Sequence, residues 1–168
     1  MKDTEDVVAR VLRQWEQALP GVDTSPIAVI GRLTRCHLLL QQAEHTPLAR
    51  HGLSRPEFEI LAALRRVGGE LTPGHLARET FASGAAVTKR LRALEDRGLV
   101  SRRTDDHDRR VTHLSLTPEG RALIDEALPA QLAHESALLS GLDETARTEL
   151  ADRLAELLVL LEGRLGGL

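Results

Sequence analysis

The sequence predicts a mainly α-helical fold with one small β-hairpin. Three observations lead there. Apolar residues recur at helical spacing over most of the 168 residues. Capping motifs and glycines mark the ends of those stretches. Only between Leu99 and Leu116 does the period shorten to two, on either side of a polar tip.

Residues 4–19 place Val7, Val8, Val11, Leu12, Trp15 and Leu19 on one helical face, and Pro20-Gly21 stops that helix. A second helix is expected from about Pro26 to Ala49, with Ile27, Ile30, Leu33 and Leu38 along one side, before His51-Gly52. Ser54-Arg55-Pro56-Glu57 has the form of a capping box, in which the Ser hydroxyl takes a free amide and Glu57 reaches back. The helix behind it carries Phe58, Leu61, Ala62 and Leu64 and ends at Gly68-Gly69. Thr72-Pro73 opens a short helix, since proline's missing N–H is harmless at the first helical position. After Phe81-Ala82-Ser83-Gly84 comes a longer helix with Ala86, Val87, Arg90, Leu91 and Leu94, stopping at Arg97-Gly98. Two helices joined by so short a turn form a helix-turn-helix.

Leu99 to Arg103 and Val111 to Leu116 read as strands, and Thr104 to Arg110 as the polar tip between them. Helix, turn, helix and hairpin together make a winged helix. Thr117-Pro118-Glu119 caps a helix to about Leu139. Asp143 caps a last one, with Leu150, Leu154, Leu157, Leu158, Leu161 and Leu165 on one stripe. Residues 27–68 and 71–139 already supply a core, so the stripes of the terminal helices exceed what a monomer needs. A buried leucine contributes about 1.5–3 kcal/mol, and a six-leucine stripe is expected to face a two-fold partner.

Composition narrows the function. The net charge of −3 conceals a gradient. Residues 1–70 balance nine basic against nine acidic side chains, 71–113 hold nine against six, and 114–168 hold four against ten. A basic middle is what phosphate contact requires, although a solvated charged surface would count the same. One Trp, two Phe and no Tyr argue against a single-strand surface of stacked rings. The single cysteine excludes a disulfide framework and fits a reducing cytoplasm. No apolar run reaches the roughly 18 residues of a membrane span. The acidic start, MKDTEDVVARVL, does not read as a signal peptide.

Leu94-Glu95-Asp96-Arg97-Gly98-Leu99-Val100-Ser101-Arg102, then Asp105-Asp106-His107-Asp108-Arg109-Arg110, then Leu114-Ser115-Leu116-Thr117-Pro118-Glu119-Gly120 make the chain resemble a MarR-type transcriptional regulator over residues 27–165. The resemblance implies a homodimer whose terminal helices interlock and whose two winged helices read a palindromic operator in double-stranded DNA. Its divisions here are an extension helix over 1–25 and a MarR-type domain over 26–165. Within that domain lie a winged helix at about 54–117 and dimerisation helices at 26–50 and 118–165.

A recognition helix enters the major groove by its N-terminal part. Ser83, Ala85, Ala86, Thr88 and Lys89 are therefore candidate contacts, with Arg92 a turn further on and Thr72 on the preceding helix. Alanine can touch a thymine methyl, whereas Thr88 and Lys89 suit phosphates. At the wing the resemblance assigns minor-groove insertion to Arg110, with Arg109 beside it. Asp108 either orients a guanidinium or caps its own turn.

The chain is further similar to a subfamily typified by urate-responsive, PecS and TamR regulators, which adds an N-terminal helix with a Trp. Here that helix carries Trp15 and is followed by Ser25-Pro26-Ile27-Ala28-Val29-Ile30-Gly31-Arg32. The resemblance implies a ligand set of Trp15, Glu59, Arg66 and Arg90. The subfamily has Asp where this chain has Glu59. An indole can stack a flat ligand, and guanidinium groups match carboxylate or urate. On periodicity alone the better reading of Trp15 is as the largest core residue of its helix, and it is the resemblance that favours a ligand contact. The implied effector is urate, an aconitate- or citrate-like acid or a phenol. Competition with Glu59 for Arg90 would carry its binding to the DNA-reading helix.

Other chemistries have less support. Cys36, near Arg32 and Arg35, is the candidate for a peroxide-sensing alternative, against the usual reading of a lone helical cysteine as a small buried residue. Seven scattered histidines lack zinc spacing, so no metal or other cofactor is expected. No nucleophile elbow, phosphate loop or paired-acid motif indicates an enzyme.

Overall fold

A computed structural model describes residues 5–43, 45–80 and 84–165. The chain divides into two compact units, Met1–His45 and Thr46–Leu168.

The first unit pairs α1 (Val7–Ala18) with α2 (Ser25–Ala43). Asp6 caps α1 through one carboxylate oxygen, which accepts from the Val8 and Ala9 amides at 2.8 and 3.0 Å. Its other oxygen accepts from the Arg32 guanidinium of α2 at 2.8 Å. These bonds, the Ala9 amide foremost, hold the Asp6 carboxyl below the usual carboxylate range. Gly31 lets the helices approach, because a Cβ there would stand 3.1 Å from a Val8 methyl. Trp15, Val29, Ile30, Leu38, Leu39 and Leu40 are all exposed.

The expected helix over 26–49 is two helices, α2 and α3 (His45–Arg50). Pro47 accounts for the change. It has no N–H to bond four residues back, which weakens a helix running through this position, and it fits the first turn of a new one.

In the second unit, α4 (Arg55–Val67), α5 (Pro73–Glu79) and α6 (Gly84–Asp96) enclose a core sealed by a hairpin and by α7 (Pro118–Leu138). The capping box forms as read, with Glu57 accepting from the Ser54 amide at 2.8 Å. Glu57 also receives Arg97 at 3.3 Å, tying the start of α4 to the end of α6. Leu61, Leu76, Val87, Leu91, Leu114 and Ile124 are fully buried. Helix α8 (Glu144–Leu165) begins with the Ala146 amide on Asp143 at 2.8 Å and buries no residue.

Strands β1 (Val100–Thr104) and β2 (Thr112–Leu116) pair antiparallel with Arg103 opposite His113. Each is shifted one residue from, or shorter than, its sequence-based extent. An element unforeseen in the sequence joins them: Leu71 bridges Leu114, exchanging two backbone bonds of 2.9 Å. This single rung anchors the hairpin to the segment between α4 and α5.

Candidate nucleic-acid and effector sites

Helix α6 sorts its side chains into two faces. Val87, Leu91 and Leu94 are buried, which turns Ala85, Thr88, Lys89 and Arg92 outward on one exposed stripe. That i, i+3, i+4, i+7 set is the outer face of one helix. Ala86 and Arg90 are half-buried beside it. The Thr88 hydroxyl donates to the Gly84 carbonyl at 2.8 Å, so its one proton is engaged within the helix. Thr72 caps α5 by accepting from the His75 amide at 3.3 Å. Ser83 lies outside the described residues.

The nine basic residues of 71–113 are not equivalent. Arg97, Arg102 and Arg103 are paired with Glu57, Glu95 and Glu70. Among the described residues, Lys89, Arg92, Arg109 and Arg110 have no ion-pair partner, and all four are exposed. Charge counting could not separate these groups, because Arg103 and Glu70 are 33 residues apart.

The wing tip is organised by aspartates. One oxygen of Asp105 accepts from the His107 and Asp108 amides at 2.9 and 3.0 Å. Asp108 accepts from the Arg110 amide at 2.9 Å, which is the turn-capping alternative. Neither arginine's guanidinium pairs with Asp108 among the described residues. The bonds from the Asp108 amide, His113 and the His107 amide lower the Asp105 carboxyl to about 2. The arginines thus project from a loop whose backbone is fixed by side-chain acceptors.

A cavity of about 270 Å³ opens between α4 and α5. Phe58, Ala62 and Ala63 line its apolar part, and Arg55, Glu59, Arg66, Glu79 and Thr80 supply its polar rim. Glu59 and Arg66 thus share one cavity. Their partners differ from the sequence-based expectation. Glu59 accepts from Arg55, one turn back on α4, at 3.0 Å, and Arg66 pairs with Glu79 of α5. Arg90 has no ion pair among the described residues, so the expected Glu59–Arg90 contact is replaced by Glu59–Arg55. The i, i+4 spacing explains the preference, since those side chains are neighbours on the helix surface.

Arg55 was not singled out in the sequence, although that spacing was its signal. Its guanidinium lies 5.8 Å from the Phe58 ring centre and also reaches Glu135 of α7 at 3.2 Å. Trp15 belongs to the first unit, where it is 47% exposed. Cys36 is exposed rather than buried, and the neighbouring Arg32 is committed to Asp6. Among the described residues no cluster of three or more His, Cys, Asp or Glu could hold a metal, and no helix is long and apolar enough to cross a membrane.

Comparison with known proteins places this geometry among transcriptional regulators. Residues 51–111 match the MarR family. The chain is 34% identical over 145 residues to the HTH-type transcriptional regulator PecS of Dickeya dadantii, spanning 85% of this chain and 87% of that one. It is 31% identical to the transcriptional repressor MprA of Escherichia coli K12, over 68% and 66% of the two chains. Among solved structures, Bordetella bronchiseptica BpsR, whose DNA binding is regulated by 6-hydroxynicotinic acid, superposes with a TM-score of 0.71 at 26% identity, covering 77% of this chain and 91% of that one. Staphylococcus aureus MepR, solved as a DNA complex, gives a TM-score of 0.71 at 23% identity over 79% and 98%, a likeness of fold.

Proposed function

This chain belongs to the MarR family of winged helix-turn-helix, DNA-binding transcriptional regulators, and from that premise we propose that it is a repressor released from a palindromic operator by a small organic anion. The observation that carries the effector half of this reading is the α4–α5 cavity, where Arg55 and Arg66 stand over an apolar floor. Guanidinium groups suit a carboxylate, and Phe58 suits a planar ring. The volume of about 270 Å³ suits a one- or two-ring acid. Regulation of BpsR by 6-hydroxynicotinic acid supports the same chemical class. Urate, aconitate- or citrate-like acids and phenols remain the compounds to compare.

Both guanidinium groups are already neutralised, so an anion must exchange for a carboxylate. The Arg66–Glu79 pair spans α4 and α5. An effector that takes Arg66 releases Glu79, and with it the helix packed against α6. A contact made in only one of two states is what shifts an equilibrium between them. The route to the reading helix therefore runs through Glu79 rather than through Arg90.

On DNA, we assign groove or phosphate contacts to Ala85, Ala86, Thr88, Lys89 and Arg92, with Thr72 and Ser83 at the flank. Thr88 serves there as an acceptor or van der Waals contact. Arg110 and Arg109 reach from the wing, on a loop that Asp108 caps. The exposed leucines of α2, α7 and α8 are assigned to a homodimer interface.

Titration of purified protein with 6-hydroxynicotinate, urate, citrate and salicylate by calorimetry tests the cavity. Binding of at least one, abolished in Arg66→Gln, is expected; heat unchanged by that substitution would remove the cavity from the account. Quenching of Trp15 fluorescence in the same titration would add Trp15 to the effector set, and an unchanged signal would exclude it. Peroxide treatment of wild type and Cys36→Ser decides the cysteine alternative, which requires that only the wild type lose DNA.

A further inference from the structure

The base of the wing holds a charged cluster that neither DNA contact nor effector binding uses. His113 on β2 is the centre. Its Nε2 lies 2.9 Å from Asp105 Oδ2 in the wing loop, and its Nδ1 lies 3.5 Å from Glu70 Oε2, next to the Leu71–Leu114 rung. Arg103, directly across the sheet, closes the cluster by pairing with Glu70 at 2.7 Å. Asp106, at 3.8 Å from Arg103, is the outermost charge. The His113 side chain is only 22% exposed.

Asp105 has two functions at once. One oxygen shapes the tip by accepting the His107 and Asp108 amides, and the other faces His113. His113 therefore links the shape of the tip to the body of the domain through Glu70. The linkage depends on the proton count of the ring. An imidazolium donates from both nitrogens, whereas a neutral imidazole donates from one and turns a lone pair toward whatever faces the other. Both facing groups are acceptors only. Asp105 is held ionised down to about 2, and Glu70 is kept low by Arg103.

We propose that His113 is a positioning residue for the wing, and that its protonation, by bridging Asp105 to Glu70, sets how firmly Arg109 and Arg110 are presented to DNA. The doubly bridged wing is the acidic form; at higher pH one tether is lost and the tip loosens. This makes DNA affinity fall as pH rises, through a group that does not line the effector cavity. The inference rests on the wing being a DNA contact.

The test reads the tether and the affinity separately. Hydrogen exchange of the Asp108, Arg110 and Val111 amides in the free full-length protein, corrected for intrinsic exchange, is followed from about pH 5.5 to about pH 8.5. Wild-type protection is expected to fall several-fold, while His113→Gln stays low and flat. Over the same range, affinity for a duplex from upstream of the chain's own gene is expected to weaken about three- to tenfold in the wild type, the scale of one partly exposed charge-assisted bond. His113→Gln loses that dependence, and the tip variant His107→Gln retains it. Parallel profiles for wild type and His113→Gln overturn the proposal, as does a profile that follows His107. Wing exchange that responds to His113 while affinity does not would overturn the coupling to DNA. Arg110→Ala in the same titration separates the premise: unchanged affinity there means the wing is not a DNA contact, and the exchange data still decide the tether.

Discussion

Gly120, in the first turn of α7, lies against the carbonyl of Leu99, so closely that a Cβ built at this position would sit 2.0 Å from the oxygen. The neighbouring Thr117 explains why the chains are so near. Its hydroxyl donates to the Gly98 carbonyl at 2.7 Å and accepts from the Gly120 amide at 3.0 Å. Its own amide bonds to Leu99 at 3.2 Å. The Leu-Thr-Pro-Glu-Gly run is thus a clasp between the end of α6 and the start of α7.

Gly120→Ala must move backbone rather than a flexible side chain. We expect a loss of stability of about 1–3 kcal/mol, the range of forced overpacking, read as a lowered urea midpoint. Gly141→Ala, where no atom lies within 4 Å, is the matched control and should leave the midpoint unchanged.

The depressed Asp105 carboxyl predicts a signed pH dependence. Its folded value of about 2 lies below the ordinary 3.8, so its stabilising bonds are complete above that ordinary value and are lost as pH falls through about 2. Asp105→Asn should therefore melt below the wild type at neutral pH, with the difference closing as both are acidified. A gap in melting temperature that is constant across that window would show that the carboxylate charge is not what holds the tip.

Arg110 is exposed and has no acidic partner among the described residues, so its loss should not unfold the wing. Arg110→Ala is expected to weaken binding to all duplexes alike and to reduce the salt slope by about one counterion. Anisotropy titrations at three salt concentrations measure both. A loss confined to one sequence would make Arg110 a base-specific reader instead.

Leu158 on α8 is 54% exposed and Leu154 is 41% exposed, on a helix that buries nothing. If this stripe is the two-fold interface, Leu154→Asp with Leu158→Asp removes about 3–6 kcal/mol of apolar burial per chain and yields monomers in equilibrium sedimentation. An unchanged mass would move the interface elsewhere.

Much of this molecule can be read from local signals. Ser54-x-x-Glu57, Thr72-Pro73 and Thr117-Pro118 each cap the helix that they announce, because capping involves residues within one turn. The outward stripe of α6 follows from Val87, Leu91 and Leu94 by period alone. What escaped is non-local or too short to have a period. The Leu71–Leu114 rung is one residue pair, and the ion pairs that occupy Arg97 and Arg103 close over long sequence separations. Glu59 and Arg66 were found, but their partners were not. Glu79 reaches Arg66 only because of how α4 packs on α5, whereas Arg55 stands one turn before Glu59 on the same helix, a spacing that the sequence does show.

The central claim is that an organic anion bound beside Arg66 controls DNA affinity through Glu79. Its most direct measurement is the anisotropy of a labelled duplex from upstream of the chain's own gene, titrated with wild type and with Arg66→Gln, each with and without 6-hydroxynicotinate, urate, citrate and salicylate. At least one anion is expected to weaken the wild-type complex tenfold or more while leaving Arg66→Gln on the DNA. Release of both proteins alike, or of neither by any of the four, would contradict it.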